Sequence, residues 1–145
     1  MRVKYNHSVS GFTVLELMVA VGIATAVLSV AVPSFLDWLP TLRLSSAARQ
    51  VATDLQVARM KAISRNTSYT VNFVASTYTF TPGTGTDTDS RDIGQLYPGV
   101  SIAPTPPNPV FTPRGTASTT GTITLSNGTA TKLIVVSTVG RVTIQ

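Results

Sequence analysis

An uncharged stretch of twenty residues, Leu17–Leu36, most constrains how this 145-residue chain can fold. At a rise of 1.5 Å per residue, such a stretch forms about 30 Å of helix, which is the thickness of the hydrocarbon core of a bilayer. Arg2 and Lys4 precede the stretch, and only Asp37 follows it closely. This distribution of charge favours a cytoplasmic N-terminus. The sequence therefore predicts one membrane-spanning helix, with the rest of the chain on the other side of the membrane.

An ordinary secretory signal peptide and a plain single-span anchor are the two alternatives. A signal peptide has a short apolar region beside a cleavage site of small residues. The apolar stretch here is longer and continues directly into an amphipathic segment. Glu16 bears most on the choice, because it is the only glutamate in the chain and follows Phe12 within the apolar run. A carboxylate in lipid costs several kcal/mol unless it is paired, and a plain anchor explains Glu16 only as a residue at the headgroup level.

The segment SGFTVLELMVAVGIATAVLSVAVPSF resembles the class III signal of type IV prepilins and type II secretion pseudopilins. Gly11, Phe12, Thr13 and Glu16 match the pattern of that family position by position. The resemblance implies that a prepilin peptidase cuts between Gly11 and Phe12 on the cytoplasmic side and methylates the new N-terminus of Phe12. It also implies that Glu16 pairs with the free amine of a neighbouring copy during assembly. Pro33 fits the family as well, because a proline within a helix removes a hydrogen bond and kinks it.

Beyond Pro40 the sequence changes from wholly apolar to amphipathic. Apolar residues recur there at steps of three and four, which predicts a helix that packs one face on a sheet. The members of this stripe are Leu44, Ala48, Val51, Leu55, Ala58 and Ala62. Five basic residues lie largely off the stripe and are interpreted as a solvated face, or alternatively as contacts with neighbouring subunits: Arg43, Arg49, Arg59, Lys61 and Arg65. The polar run Ser64–Thr67 is predicted to end the helix.

The remaining residues alternate apolar and polar types in short runs that predict strands. Residues 68–74 and 76–80 form a predicted hairpin, residues 82–92 a loop, and residues 95–102 a short strand. Residues 103–109 contain four prolines, which excludes a central strand, and Val110–Phe111 is expected to begin an edge strand. The last three predicted strands are 122–125, 132–137 and 141–144, separated by Asn127-Gly128 and Gly140, and Asn-Gly is a strong hairpin signal.

These elements predict an α+β fold, in which a long N-terminal helix packs on a head of antiparallel sheet, as in pilins. The expected domains are a leader (1–11), a transmembrane stem (12–39), the amphipathic half of the stem helix (40–66) and the β-rich head (67–145). The C-terminal half resembles the GspH/FimT branch of minor subunits. The residues that carry this resemblance are AARQVATDLQVARMKAISRN, FTPRG from Phe111, GTITL from Gly121, LIVV from Leu133 and Val139-Gly140-Arg141.

The residue types for catalysis or metal binding are scarce. Cysteine is absent, and the single histidine, His7, lies in the segment that the cut would remove. A serine nucleophile therefore lacks its usual base, and we predict neither an enzyme nor a cofactor. Asp87, Asp89 and Asp92 are oxygen donors that suit Ca²⁺, but a solvated acidic loop explains them as well.

Basic residues raise an alternative function as a DNA-binding minor pilin. DNA-uptake members of the FimT type carry a Gly-Arg-x-Arg element, and this chain keeps Gly140 and Arg141 but has Thr143 in place of the second arginine. Arg141, Arg114 and Lys132 are the candidate DNA contacts. Removing Arg2 and Lys4 takes 11 basic groups to 9 against 6 acidic groups, so a mature charge of about +3 is only a weak indication of nucleic-acid binding.

The resemblance implies assembly in the bacterial inner membrane. The expected partners are other pilin subunits, the prepilin peptidase, the inner-membrane assembly platform and membrane lipid, with DNA in the alternative function. The head is expected in the periplasm and then in a pilus or pseudopilus. The sequence does not separate a secretion system from a pilus system, because both use this type of stem.

Overall fold

The structure is a computed structural model that describes residues 11–86, 88–105 and 107–145. Internal contacts divide the chain into two compact units, with the boundary between Asp37 and Trp38. Helix α1, Val14–Ser64, begins in the first unit and ends in the second. It is the one helix among the described residues that is long and apolar enough to cross a membrane.

The described part of the first unit exposes all its side chains, from Gly11 to Asp37. Helix α1 continues without a break through Pro33 and Pro40. Within this part of the helix, the hydroxyl of Thr25 donates to the carbonyl of Val21 over 2.8 Å, and that of Ser29 donates to the carbonyl of Ala26 over 2.7 Å. These bonds satisfy the hydroxyl donors of Thr25 and Ser29 within the apolar segment.

The described residues of the second unit form nine strands and a short helix besides the end of α1. The strands are β1 Tyr69–Val74, β2 Thr77–Pro82, β3 Asp89–Asp92, β4 Ser101–Thr105, β5 Val110–Phe111, β6 Ala117–Thr119, β7 Gly121–Ser126, β8 Thr131–Val136 and β9 Val142–Ile144, and helix α2 is Ile93–Leu96. They form two antiparallel sheets: a first sheet with the order β3-β2-β1-β5-β6 and a second sheet with the order β4-β7-β8-β9.

The predicted apolar stripe of α1 lies in the core. All six of its members are buried, together with Ala47, Ala52 and the carboxylate residue Asp54. They form one hydrophobic cluster with the inward-facing residues of both sheets, whose largest fully buried members are Tyr69, Tyr78, Phe111, Ile123, Leu125 and Ile134. The helix therefore packs on the sheets along the face that the spacing predicted.

Helix α1 ends at the predicted place in a Schellman motif. The N–H of Thr67 donates to the carbonyl of Ala62 over 3.2 Å, and that of Asn66 donates to the carbonyl of Ile63 over 3.3 Å. Asn66 has a φ of 49°, a left-handed conformation that asparagine tolerates better than most residues. These bonds satisfy carbonyl groups that the last turn would otherwise leave unpaired.

The predicted strands of both hairpins are confirmed, with small shifts at their ends, but four predictions are wrong or incomplete. Residues 89–92 of the predicted loop form β3, and the predicted strand 95–102 is mostly α2 and a turn, with β4 beginning at Ser101. Residues 110–111 do not lie at an edge, because β5 pairs with both β1 and β6. The strand β6 was not predicted. β4, which contains Pro104, lies at the edge of the second sheet, where the missing N–H is tolerated.

The last residue of β3, Asp92, is the N-cap of helix α2. The side chain of Asp92 accepts a hydrogen bond of 3.2 Å from the N–H of Gln95, and Asp92 itself is extended. An aspartate that bonds a backbone N–H of the first turn is a preferred N-cap. This cap explains why the chain turns into a helix where the sequence pattern had suggested a strand.

Candidate functional site

The N-terminal end of α1 carries the residues of the predicted processing site. Gly11, Phe12 and Thr13 lie outside the helix and are exposed. Oγ1 of Thr13 accepts a hydrogen bond of 3.2 Å from the N–H of Glu16, and the carbonyl of Thr13 accepts one of 3.1 Å from Leu17. Thr13 is therefore the N-cap, and Glu16 takes the third helical position, where a glutamate favours the helix start. The bond between Gly11 and Phe12 precedes the first helical residue and is accessible.

The most buried charged group of the described residues is Asp54. Its carboxylate accepts a hydrogen bond of 2.5 Å from the hydroxyl of Tyr78 and two of 3.1 Å from the side-chain amide of Gln50. Nε of Arg91 lies 3.7 Å from Oδ2 of Asp54. Burial and, to a smaller extent, the hydrogen bond and the negative charge of Asp54 raise the pKa of Tyr78 far above its usual range. The phenol therefore stays protonated and donates.

Sequence reasoning missed Asp54, although a signal was present. Asp54 follows Val51 by three residues and precedes Ala58 by four, so a carboxylate occupies the apolar stripe. A buried carboxylate needs hydrogen-bond partners, and β2 and β3 supply them from the first sheet. A second ion pair, Lys61 Nζ to Asp89 Oδ2 at 3.7 Å, connects the same helix to β3. These contacts hold the edge strand β3 against α1.

Arg59 connects α1 to the turns that precede β6 and β9. Its Nε donates to the carbonyl of Gly115 over 2.6 Å, and Nη2 donates to the carbonyl of Val139 over 3.5 Å. The N–H of Ala117 donates to the carbonyl of Thr138 over 3.0 Å, which joins the two sheets at the same place. The interpretation of Arg59 as a solvated residue is therefore wrong, because its guanidinium group is used inside the head.

Two glycines are required where these turns meet. Gly115 and Gly140 are both buried and have φ values of 78° and 76°. A Cβ on Gly140 would clash with the carbonyl oxygen of Gly115 and lie 2.9 Å from Nε of Arg59. A Cβ on Gly115 would lie 2.8 Å from Cδ1 of Ile63. Only glycine satisfies both the left-handed backbone and the close approach.

The structure separates the three candidate DNA contacts. Arg114 and Arg141 are exposed and each adjoins one of the two contacting glycines, so their turns lie side by side. Lys132 lies near the other end of β8, roughly 13 Å along the strand from Val136. It pairs with the buried Leu125 and shares the helix-facing side of the sheet with Ile134. Its side chain therefore lies on the side of α1.

Lys132 instead belongs to a groove between α1 and the second sheet. The groove has a volume of about 240 Å³ and is lined by Ser45, Ala48, Arg49, Lys132 and Ile144. Within the part of the chain that the structure describes, neither Arg49 nor Lys132 takes part in an ion pair. The groove thus combines two cations from different elements with an apolar surface. We call it the Arg49–Lys132 groove.

The aspartates proposed as Ca²⁺ ligands have other partners where they are described. Asp89 pairs with Lys61, and Asp92 caps α2. Asp87 lies outside the described residues. Among the residues that the structure describes, no three acidic or histidine side chains form a group suited to a metal ion.

Comparison with solved structures identifies the fold. The minor pilin FimU of the type IV pilus of Pseudomonas aeruginosa strain PAO1 is similar in two crystal forms. One, in space group P65, matches with a TM-score of 0.56 at 17% identity over 70% of this chain and 92% of that chain. The other, in space group P21, matches with a TM-score of 0.57 at 20% identity over 70% and 87%. The minor pseudopilin EpsH of the type 2 secretion system of Vibrio cholerae matches with a TM-score of 0.53 at 11% identity over 71% and 96%.

The fold is therefore that of a pilin: a long helix packed on an antiparallel head. The sequence itself matches the family described as "Type II transport protein GspH" over residues 47–140, which include Asp54, Arg59 and both contacting glycines. This chain belongs to the GspH family. No sequence among the curated proteins matches it significantly.

Proposed function

We propose that this chain is a minor pilin or pseudopilin that a prepilin peptidase cuts between Gly11 and Phe12. It then assembles into a type II secretion pseudopilus or a type IV pilus, at initiation or at the tip. The observation that carries the proposal is that the two parts of α1 differ in what their apolar side chains contact. The first part, up to Asp37, exposes apolar side chains over a length sufficient to span a bilayer, and the stripe from Leu44 to Ala62 is buried in a pilin head.

The geometry of the N-terminal segment supports the processing step. A peptidase needs an extended and accessible bond, and residues 11 and 12 are exposed and precede the helix. A β-carbon added to Gly11 would meet no atom within 4 Å, so the fold of the chain places no demand for glycine there. The requirement for a small residue at position 11 then comes from the peptidase, which also methylates the new amine of Phe12.

Glu16 supports assembly in the membrane. Its backbone N–H is capped by Thr13, while its carboxylate forms no hydrogen bond or ion pair among the described residues. A carboxylate at the edge of an apolar span gains most from a positive partner. The amine of Phe12 on a neighbouring copy supplies one, with the inner-membrane assembly platform bringing the copies together.

N-terminal sequencing of the full-length protein, expressed in cells with a prepilin peptidase, tests the proposal. The mature chain should begin at Phe12, and Gly11→Val should block the cut. Gly22→Val is the matched control, since Gly22 lies within the span and also has no atom within 4 Å of an added β-carbon. A mature N-terminus at another residue contradicts the assignment.

A second candidate function is DNA binding at the tip of a pilus. The observation that favours it is the contact between the two turns that carry Arg114 and Arg141. Two exposed arginines on adjoining turns suit the phosphates of a nucleic-acid backbone. Lys132 contributes less to this surface, because it lies in the Arg49–Lys132 groove.

A further inference from the structure

We infer that the Arg49–Lys132 groove receives Asp37 and Trp38 of a second copy of this chain. This inference rests on the proposed function, since it names the contact through which neighbouring copies would assemble. It begins from the charges of the groove. Arg49 comes from α1 and Lys132 from β8, and they share the groove without an acidic partner from the described residues.

Among the described residues, Asp37 is the aspartate that matches this groove. Between Glu16 and the buried Asp54, Asp37 is the only acidic residue in the sequence. It is exposed and forms no ion pair among the described residues. The other described aspartates are engaged, Asp89 with Lys61 and Asp92 as the cap of α2. The carboxylate of Asp37 and the two cations of the groove are therefore complementary.

The apolar part of the groove matches the residue that follows Asp37. Trp38 is the only tryptophan in the chain, and 55% of its surface is exposed. The groove offers Ala48 and Ile144, of which Ile144 is 40% exposed. An exposed indole gains free energy by covering apolar surface, and tryptophan and arginine are enriched where interfaces carry most of their binding energy. Asp37 and Trp38 together thus fit both properties of the groove.

The direction of membrane insertion determines the symmetry of this contact. Copies that insert in the same orientation have parallel helices. Residue 37 of one copy therefore meets residue 49 of the next only if one copy is displaced along the helix axis relative to the other. A staggered contact is not reciprocal, and a pair of copies keeps one groove and one Asp37 for further copies.

Disulfide cross-linking of full-length protein in the inner membrane tests the inference, because the chain has no cysteine of its own. Two differently tagged copies are co-expressed, one with Thr41→Cys and the other with Ser45→Cys, and then oxidised. Thr41 is exposed and lies about one helical turn after Asp37, so this substitution leaves Asp37 and Trp38 in place. We expect a mixed dimer carrying both tags. The pair Thr41→Cys with Thr138→Cys is the control, since Thr138 is exposed in the turn after β8, at the other end of that strand from Lys132.

Charge reversal distinguishes a cross-link that depends on the proposed ion pairs from one that forms when copies meet at random in the membrane. Two changes should each lower the yield of mixed dimer roughly fivefold or more. One is Asp37→Lys in the copy that carries Thr41→Cys, and the other is Arg49→Asp with Lys132→Asp in the copy that carries Ser45→Cys. Combining the two reversed copies should restore the yield. Arg43→Asp, an exposed position of α1 outside the groove, should leave it unchanged.

Several outcomes would overturn the inference. They are an absent mixed dimer, a yield that does not respond to charge reversal, and cross-links that form only to other subunits. Cleavage after Gly11 and incorporation into filaments are measured on the same samples. Normal cleavage and incorporation without the cross-link reject this contact alone, whereas loss of both in the unmodified protein rejects the proposed function.

Discussion

The hydroxyl of Tyr78 donates a hydrogen bond of 2.5 Å to Oδ2 of Asp54, inside the interface between α1 and the first sheet. A hydrogen bond to a charged group contributes more than one between neutral groups, about 1.5–3 kcal/mol. Tyr78 also packs edge-on against Phe80, so its ring and its hydroxyl both contribute to the same interface. This bond ties the middle of α1 to β2.

Removing the hydroxyl should therefore destabilise the head. We expect Tyr78→Phe to lower the free energy of unfolding by about 1.5–3 kcal/mol, because Asp54 loses its shortest hydrogen bond. Denaturant unfolding of the full-length protein in detergent, followed by tryptophan fluorescence or circular dichroism, measures this change. Tyr97→Phe is the control, since Tyr97 is only partly buried. Equal effects of the two substitutions would contradict the role of the bond.

The raised pKa of Tyr78 predicts how stability depends on alkaline pH. The folded state holds this proton more tightly than the unfolded state, in which tyrosine has its usual pKa of about 10. The contribution of Tyr78 is thus fully present below pH ~10 and is lost as pH rises above that value. We expect the free energy of unfolding to fall with pH in this range, and to fall less steeply for Tyr78→Phe. The same slope in both proteins would show that other groups cause it.

The contact between Gly115 and Gly140 predicts a large difference between two glycine substitutions. Gly140→Ala should cost about 2–4 kcal/mol, since it strains a left-handed backbone and drives Cβ into the carbonyl of Gly115. Gly128→Ala is matched in backbone conformation, with a φ of 85°, but has open space around it. It should cost only about 1–2 kcal/mol. Thermal unfolding of the two variants compares these costs, and a smaller loss for Gly140→Ala would contradict the close approach.

Glu16→Ala should leave membrane insertion and cleavage intact and reduce incorporation into the filament. The span becomes more apolar, and Thr13 still caps the helix through the backbone N–H of residue 16. What is lost is the partner for the amine of Phe12 on a neighbouring copy. Co-purification with the other subunits measures incorporation, and Glu16→Asp serves as the variant that keeps the charge. Normal incorporation of Glu16→Ala would reduce Glu16 to a residue at the headgroup level.

DNA binding, the second candidate function, should be weak and sensitive to salt. The full-length protein in detergent should bind a duplex of arbitrary sequence with a Kd on the order of 10⁻⁴–10⁻⁶ M at physiological salt and more tightly at low salt, since few phosphate contacts are available. Arg114→Ala and Arg141→Ala should each weaken binding and reduce the salt slope. Lys132→Ala should have a smaller effect, because Lys132 lies on the helix-facing side of its sheet. Anisotropy that shows no binding at low salt removes this candidate.

The buried stripe of α1 was predictable because helical spacing alone identifies the face that packs. The hairpin β7–β8 was predictable for a similar local reason, since strand alternation flanks the Asn-Gly turn. β3 was not, because its sequence DSRD looks like a loop. It forms a strand by pairing with β2, and its side chains form ion pairs with Lys61 and Asp54 on a helix that is distant in sequence. The position of β5 between two partners likewise depends on pairing over long sequence distances.

In the candidate sites, too, local motifs were predictable from the sequence, whereas contacts between residues distant in sequence were not. The motif around Gly11 and Glu16 is local and was visible in the sequence. The role of Arg59 was not, since its two carbonyl partners lie 56 and 80 residues further along the chain. The grouping of Lys132 with Arg49, rather than with Arg141, follows from strand register, which the sequence does not specify on its own.

The position of the Arg59 contact also imposes an order of events during biosynthesis. Arg59 is synthesised 80 residues before Val139, whose carbonyl completes its surroundings. The contact between α1 and the turn after β8 can therefore form only when synthesis has reached residue 139. A chain that stops short of residue 139 leaves the guanidinium group of Arg59 without one of its two acceptors.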